Sequence, residues 1–114
     1  MSPCRNNVMK RMLILEDDQE RIDRFHDRYH RRYEIVIVGT AAEAIQLLSN
    51  ENWDIIFLDH DLGDGHGTGY EVACWLEQNQ QRQPHKIVIH SWNLVGAAKM
   101  KAALPWAIQK PFKF

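Results

Sequence analysis

The sequence predicts a single α/β domain in which five parallel strands form a doubly wound sheet, in strand order 2-1-3-4-5, between two layers of helices. Short apolar runs alternate along the chain with segments of helical periodicity, which is the pattern of repeated βαβ units. The third run, residues 55–58, is apolar at every position, as expected for a strand buried on both faces of a parallel sheet. A length of 114 residues is enough for one such domain.

The first strand is predicted to lead directly into a capped helix. Residues 12–15 form a short apolar run that stops at an acidic stretch. Asp18 is a good N-cap for the next segment, on which Ile22, Phe25 and Tyr29 recur at helical spacing. The acidic stretch is therefore expected at the carboxyl end of the first strand.

The second unit repeats this pattern. Residues 33–38 are rich in β-branched side chains, which favours a strand. Thr40 and Glu43 have the spacing of a capping box at the start of a helix. The apolar residues of that helix are Ala44, Ile45, Leu47 and Leu48.

The third unit contains a long glycine-rich loop. Residues 53–58 are predicted as the third strand, and Thr68 or Gly69 begins a helix that runs to about Asn79. The apolar face of this helix carries Val72, Ala73 and Leu76. Pro84 then breaks the regular pattern before the next strand.

The last predicted elements are a strand, a short helix and a brief final strand. Residues 86–90 form the fourth strand, and Asn93 caps a helix that ends near Leu104. The apolar residues of the helix are Val95, Ala98 and Met100. Residues 106–108 form the fifth strand, so the pattern is (βα)₄β.

A fifth helix usually follows the last strand in this pattern, and the sequence predicts none. We expect residues 1–10 to form a flexible arm and residues 11–114 to form the domain. Phe112 and Phe114 follow the last strand, near the sheet face that a final helix would cover. This placement leads to the hypothesis of a homodimer through that face.

Composition excludes some classes of function. The formal net charge of −1 gives no support to a protein that wraps duplex DNA or binds a membrane surface. The basic clusters at Lys10-Arg11 and at residues 28–32 are interpreted as solvated helix faces, with a polyanionic partner as the alternative. Cys4 and Cys74 make no disulfide framework, and no stretch approaches the roughly 20 apolar residues of a membrane span. A cytoplasmic location is expected.

Polar residues follow four of the five predicted strands, and the carboxyl ends of parallel strands share one edge of the sheet. These residues are Glu16, Asp17, Asp59, Asp61, Ser91 and Lys110. Carboxylates gathered at one edge repel one another unless a cation lies among them, and oxygen ligands favour Mg²⁺. A nucleophilic carboxylate, a metal, a hydroxyl and an ammonium group are together the parts of a phosphoryl-transfer site.

In these residues the chain resembles the receiver domains of bacterial response regulators, from residue 12 to residue 112. The resemblance implies a flavodoxin-like fold in which Asp59 is the phospho-accepting aspartate. It also implies that Glu16 and Asp17 hold the metal, with the carbonyl of Asp61 as a further ligand. By the same resemblance, Ser91 is the switch hydroxyl and Lys110 pairs with the phosphoryl group.

The loop that follows Asp59 is longer than the corresponding loop of ordinary receivers. The segments LDHDLGDG, TGYEVACWLE and HSWNLVGAAKM are similar to a variant group called cyclic-phosphate-processing receiver domains. That resemblance implies an activity on cyclic phosphate ends. Asp59 and Asp61 also have the Asp-x-Asp form of haloacid-dehalogenase-type phosphatases, in which the second Asp is the acid/base.

Three further features leave alternatives open. The glycines at every second position from 63 to 69 fit either turn geometry or a cradle of backbone amides for phosphate. His60, His66 and His90 lie near the predicted site, and of these we rank His60 first as a proton-transfer group. Two or three of these histidines with Asp59 form an alternative site for Zn²⁺ or Mn²⁺, ranked below Mg²⁺. Trp92 is a candidate for stacking on a nucleotide base.

The first functional hypothesis is a Mg²⁺-dependent phosphoesterase that acts on a cyclic phosphate of a nucleotide or RNA end. In this hypothesis Asp59 is the nucleophile or a metal ligand, and Asp61 or His60 is the acid/base. Ser91 and Lys110 then contact the phosphoryl oxygens. The alternatives are a stand-alone receiver that is phosphorylated on Asp59 and signals to a partner protein, and a degenerate receiver that serves only for docking.

Overall fold

The fold is described from a computed structural model, in which residues 9–91 and 93–110 are described. All five strands are parallel and their order in the sheet is 2-1-3-4-5, as predicted. The strands are β1 Lys10–Leu15, β2 Tyr33–Val38, β3 Ile55–Leu58, β4 Lys86–Ile89 and β5 Ile108–Gln109. The helices are α1 Gln19–Tyr29, α2 Ala41–Asn50, α3 Gly69–Gln78 and α4 Leu94–Ala103. A short 3₁₀ turn, Gln80–Arg82, precedes β4.

The sheet separates two apolar cores because successive side chains of a strand point to opposite faces. On one face, residues such as Leu13 and Ile56 pack against α2, α3 and α4. On the other face, Met12 and Phe57 pack against Phe25 of α1. The three-layer architecture is therefore confirmed, with α1 alone among the described helices on its side of the sheet.

All four helices begin at the polar residues that the sequence predicts. Each cap side chain accepts a hydrogen bond from a backbone N–H three residues further on, which satisfies a donor that the first turn leaves free. The four N-caps are Asp18, Thr40, Thr68 and Asn93. These local signals act within one turn of chain, so the sequence alone determines them.

Three strands are shorter or shifted relative to the prediction, and of these β4 ends at Ile89, one residue before the predicted end. β3 begins at Ile55, since Trp53 instead donates its indole N–H to the carbonyl of Leu47 at 3.1 Å. β5 begins at Ile108 and not at Trp106. The N–H of Ala107 donates to the carbonyl of Leu104 at 3.0 Å, and this turn delays the strand.

The buried face of α4 also differs from the predicted one. Ala97, Met100 and Ala103 are buried, whereas Val95 and Ala98 are exposed. The buried face therefore combines small residues with Met100, which is the one member of the predicted face that is buried. Apolar periodicity misplaces the face because alanine is common on either side of a helix.

Several expectations concern residues outside the described part of the chain. β1 begins at Lys10, one residue inside the predicted arm, and residues 1–8 are not described. Phe112 and Phe114 are likewise outside the described residues, so the homodimer stays a prediction. Among the described helices, none is both long and apolar enough to cross a membrane.

Candidate functional site

The carboxyl ends of the strands form a row across the sheet. Each of four residues that directly follow a strand donates its backbone N–H to the neighbouring strand, so the ladder extends one residue beyond the strands. The four bonds join Glu16 to Val38 (3.0 Å), Asp59 to Leu15 (3.3 Å), His90 to Leu58 (3.0 Å) and Lys110 to Ile89 (2.8 Å). Residues in one such row project from the same face of a sheet. The row explains how residues far apart in sequence meet at one edge.

Asp59 is a buried carboxylic acid at the centre of this row, with 5% of its surface exposed. Its Oδ2 atom has no hydrogen-bond partner among the described residues. Burial raises the pKa of the Asp59 carboxyl, the charge of Glu16 raises it further and Arg21 lowers it in part, so that it lies at about 7. At neutral pH this group is therefore poised between its acid and its carboxylate.

Glu16 is also buried, but its oxygens are held by many donors. Oε1 accepts from Nε of Arg21 at 2.9 Å and from Nε2 of His90 at 3.0 Å. Oε2 accepts from Nη2 of Arg21 at 3.0 Å and from the N–H groups of Asp17 and Asp18, both at 3.1 Å. Burial by itself raises the pKa of Glu16, but the bonds from His90 and Arg21 outweigh it, and the pKa falls to about 2. Glu16 is thus a fixed negative charge.

Two members of this cluster were missed or underrated in the sequence. Arg21, in the first turn of α1, was not singled out, although its guanidinium binds Glu16 and lies 3.7 Å from Oδ2 of Asp59. His90 was ranked below His60, yet it is 1% exposed and bonded to Glu16. Burial lowers the pKa of His90, so it donates to Glu16 as a neutral imidazole. The alternation of side chains along β4 indicated the face of His90 but not its partner.

A second group of polar side chains lies on the loop after β3. Nδ1 of His60 donates to Oδ1 of Asp61 at 2.8 Å, and Nδ2 of Asn93 donates to the same oxygen at 3.1 Å. The hydrogen bond from His60 and then that from Asn93 lower the pKa of the exposed Asp61 carboxyl. The ring of His60 lies against α4, where a Cβ on Gly96 would overlap it. The Asp61 side chain therefore orients His60.

The alternating glycines of this loop have a backbone explanation. Gly63, Gly65 and Gly67 have φ values of 85°, 77° and 76°, in the left-handed region that glycine adopts without strain. A Cβ on Gly69 would overlap the carbonyl oxygen of Asp59, so this position needs glycine for a close approach. The conformations of these glycines therefore fit the first of the two interpretations of the sequence, in which glycine is needed for turn geometry.

The remaining predicted site residues lie at the same edge of the sheet. Asp17 is exposed and its side chain lies beside Gly63. Its Oδ2 is 3.5 Å from the position that a Cβ on Gly63 would take. Ser91 is buried, and its Oγ accepts the N–H of Asn93 at 3.0 Å. Lys110 is exposed and directly follows β5.

One other candidate from the sequence forms a contact within its own loop. His66 donates from Nδ1 to the carbonyl of Leu62 at 2.7 Å, which is a contact within the loop. Trp92 lies outside the described residues, so its predicted stacking on a base stays a prediction.

The buried cluster contains donor atoms that a metal ion could use. One donor atom from each of Glu16, Asp59 and His90 lies within 4.8 Å of the others. Glu16 and His90 are bonded to each other, however, while Oδ2 of Asp59 has no partner among the described residues and Asp17 is exposed. Of these three groups, the carboxylate of Asp59 is therefore the donor that best fits a hard cation.

The sheet order and the buried aspartate after β3 together define a receiver-type domain. The chain belongs to the family of cyclic-phosphate processing receiver domains, whose family model matches residues 12–105. No curated protein was found to match the chain.

Solved structures of receiver domains are similar to this fold. A CheY-like receiver domain protein from Methanospirillum hungatei has 26% identity and a TM-score of 0.72, and the match covers 93% of this chain and 85% of that one. The response regulator TrrA from Thermotoga maritima, in complex with Mg²⁺ and BeF, has 21% identity, a TM-score of 0.74 and coverages of 93% and 88%. The phosphorylated cyanobacterial phytochrome response regulator RcpA has 19% identity, a TM-score of 0.75 and coverages of 94% and 82%.

Proposed function

We propose that this receiver domain performs phosphoryl chemistry at Asp59, and that its substrate is a cyclic phosphate ester of a nucleotide or RNA end. The supporting observation is the buried carboxyl of Asp59, whose Oδ2 has no hydrogen-bond partner among the described residues. An unsatisfied buried oxygen is costly, which is understandable at a position where a group from solution binds or reacts. The family to which the chain belongs is named for the processing of cyclic phosphates.

In the proposed reaction, Oδ2 of Asp59 attacks the phosphorus atom of the cyclic ester. A bond forms between Oδ2 and phosphorus, one ring P–O bond breaks, and the leaving ribose oxygen takes a proton from His60. Water then attacks the same phosphorus, His60 accepts a proton from that water, and the bond between phosphorus and Asp59 breaks. The product is a phosphate monoester, and both side chains return to their starting state.

His60 is proposed as the acid/base, and not Asp61, because of the hydrogen bond between them. Nδ1 of His60 donates to Asp61, which leaves Nε2 for proton transfer. The lowered pKa of Asp61 makes it a poor proton donor at neutral pH. Ser91 and Lys110 are proposed as contacts to the phosphoryl oxygens.

Mg²⁺ is the proposed cofactor. Asp59 and Asp17 would hold it, with the carbonyl of Asp61 as the resemblance to receivers implies. A bound Mg²⁺ neutralises charge on the phosphoryl oxygens and on the carboxylates. Mn²⁺ and Zn²⁺ are ranked lower because the proposed ligands are oxygens.

The second candidate function is a binding switch, in which Asp59 is phosphorylated and the domain signals to a partner protein. The observation that favours it is the similarity of the fold to response-regulator receivers, including RcpA, which was solved in its phosphorylated form. The two candidates share the nucleophile and differ in the lifetime of the phosphorylated state.

The test separates these functions with two substrates. The protein is incubated with acetyl phosphate and Mg²⁺, and separately with a 2′,3′-cyclic nucleotide and Mg²⁺, while protein mass and monoester formation are followed. Asp59→Asn removes the nucleophile, and His60→Gln removes the proton-transfer group. Asp64→Asn, an exposed position in the same loop, is the matched control.

Turnover of the cyclic ester by wild type and by Asp64→Asn, but not by Asp59→Asn or His60→Gln, supports the enzyme. A stable phosphoryl adduct from acetyl phosphate that is absent in Asp59→Asn, without turnover, supports the switch instead. If neither reaction occurs, both functions are contradicted and the docking module remains.

A further inference from the structure

The guanidinium of Arg21 lies between the two buried carboxylates of the site. Its Nε and Nη2 atoms donate to the two oxygens of Glu16, at 2.9 and 3.0 Å. Nη2 is also 3.7 Å from Oδ2 of Asp59, which is too long for a hydrogen bond but close enough for an ionic interaction. Oδ2 is the atom that has no hydrogen-bond partner among the described residues. The guanidinium therefore lies next to the proposed nucleophilic oxygen without forming a hydrogen bond to it.

Glu16 has other donors and does not depend on Arg21 alone. Nε2 of His90 and the N–H groups of Asp17 and Asp18 also bind the Glu16 carboxylate. The two parallel bonds from Arg21 thus fix the plane of the guanidinium, as is usual for a bidentate Arg–carboxylate pair. They use two of the five guanidinium N–H groups, which leaves the others for an acceptor that enters from solvent.

The Arg21 side chain is 27% exposed, whereas the Asp59 side chain is 6% exposed. Arg21 is therefore on the solvent side of the buried pair, where an incoming ligand can reach it. A phosphorus atom bonded to Oδ2 carries its own oxygens one bond further out, within reach of a donor that is 3.7 Å from Oδ2. The planar fork of a guanidinium matches two oxygens of a phosphoryl group.

We propose that Arg21 is a phosphate-binding residue, whose Nη atoms hydrogen-bond oxygens of the phosphoryl group at Oδ2 of Asp59, and that Glu16 is the residue that positions it. This inference rests on the proposed phosphoryl chemistry at Asp59. It assigns Glu16 a role through Arg21 and not as a direct metal ligand. The anion site then includes a cation of the protein itself and exists without Mg²⁺.

The experiment titrates inorganic phosphate into the full chain, labelled with ¹⁵N, in EDTA and again in Mg²⁺. The Nε–H resonance of Arg21 reports the contact, and calorimetry gives the dissociation constant. Arg21→Gln removes both the planar set of guanidinium donors and the positive charge. Arg21→Lys keeps the positive charge but not the planar set of donors. Arg24→Gln is the matched control, because Arg24 is on the same helix and pairs with the exposed Glu20 at 3.4 Å.

We expect phosphate to shift the Arg21 resonance in wild type, with and without Mg²⁺. Arg21→Gln should weaken binding by about tenfold to a hundredfold, as for the loss of a charge-assisted hydrogen bond, and Arg21→Lys by less. Arg24→Gln should bind like wild type. Arg21→Gln that binds phosphate as tightly as wild type would overturn the inference, as would a wild type that binds no phosphate.

A double variant covers the case in which Arg21→Gln fails to fold because Glu16 keeps an unpaired buried charge. Arg21→Gln with Glu16→Gln removes both charges, and it should fold yet bind phosphate weakly. Normal binding by the folded double variant would contradict the role of Arg21. The binding measurement is independent of turnover. If the Arg21 variants lose phosphate binding but wild type does not turn over cyclic esters, the inference stands and the proposed enzyme activity is rejected. If wild type turns over cyclic esters but the Arg21 variants bind phosphate normally, the inference is rejected and the activity stands.

Discussion

Asp59 occupies a position where its own negative charge reduces stability. Its folded-state pKa of about 7 is above the ordinary value of 3.8, so folding favours the protonated form. The stabilisation is fully present below about pH 3.8 and is lost as the pH rises through 7. This buried carboxyl is therefore retained at a cost in stability, as is common for groups that act in function.

The first prediction concerns Asp59→Asn, which keeps the shape and removes the charge. In EDTA at pH 8 we expect the free energy of unfolding to rise by about 2 kcal/mol, because the variant buries no charge at this position and the repulsion from Glu16 also disappears. The gain should shrink at pH 5, where Asp59 is already protonated. Urea denaturation at pH 8 and pH 5 measures the difference in the free energy of unfolding. Asp64→Asn is the control, and it should not change the free energy of unfolding at either pH. Equal stability of Asp59→Asn and wild type at pH 8 would contradict the raised pKa.

Glu16 has the opposite dependence on pH. Its folded pKa of about 2 is below 4.5, so its stabilisation is present above pH 4.5 and is lost as the pH falls towards 2. The second prediction is that Glu16→Ala costs about 2 kcal/mol at neutral pH, because the donors of Arg21 and His90 lose their common acceptor. Glu20→Ala, an exposed site on α1, should change stability by less than about 0.5 kcal/mol. Urea denaturation of both variants checks this, and equal effects would argue against the buried cluster.

The loop after β3 and the start of α4 form one unit of structure. Asn93 caps α4 through Gly96 and also donates to Asp61, so the cap of the helix holds the loop. The ring of His60 lies over the backbone at Gly96, where there is no side chain. The direction of His60 therefore depends on how α4 begins.

The third prediction is that Gly96→Ala displaces His60. An alanine in a helix is normally about 1 kcal/mol more favourable than glycine, but here the added Cβ overlaps the imidazole ring. We expect no gain in stability, loss of the hydrogen bond from His60 to Asp61, and at least about a tenfold loss of turnover if His60 is the acid/base. Imidazole NMR resonances and turnover measure the effect. Ala98→Gly, at an exposed site on α4, should cost about 1 kcal/mol and leave turnover unchanged.

For the whole domain, ligand binding and folding are linked. If Mg²⁺ binds at Asp59 and Asp17, it relieves the repulsion around Asp59 and stabilises only the folded state. The fourth prediction is that Mg²⁺ at about ten times its dissociation constant raises the thermal midpoint by roughly 5 °C or more. Asp59→Asn should show little of this shift. If the thermal midpoint does not respond to Mg²⁺, the proposal that Mg²⁺ is the cofactor is contradicted.

The architecture and the central residue of the site were predictable from the sequence because their signals are local. The apolar run before Asp59 and the four polar caps each depend on a few neighbouring residues. The strand order followed from general rules on parallel sheets. The place of Asp59 at the shared edge needed only that topology.

Arg21, His90 and the orientation of Asp61 were not predictable in this way. The bond from His90 to Glu16 joins residues 74 positions apart, and it requires β1, β3 and β4 in one register. Arg21 reaches the site only because α1 packs over that face of the sheet. Glu16 and Arg21 are only five residues apart in the sequence, but that spacing alone does not indicate that the guanidinium reaches the buried carboxylates.

The sequence alone determined where the strands and helices begin, how the sheet is ordered and which aspartate follows its central strand. Local hydrogen bonding and the alternation of apolar residues are sufficient for these features. Only the tertiary structure decided that Glu16 holds an arginine, that Asp61 turns to His60, and that Asp59 is left with an unpartnered oxygen among the described residues. The physical reason is that burial and side-chain orientation depend on how the elements pack, even for pairs that are close in sequence such as Glu16 with Arg21 and His60 with Asp61.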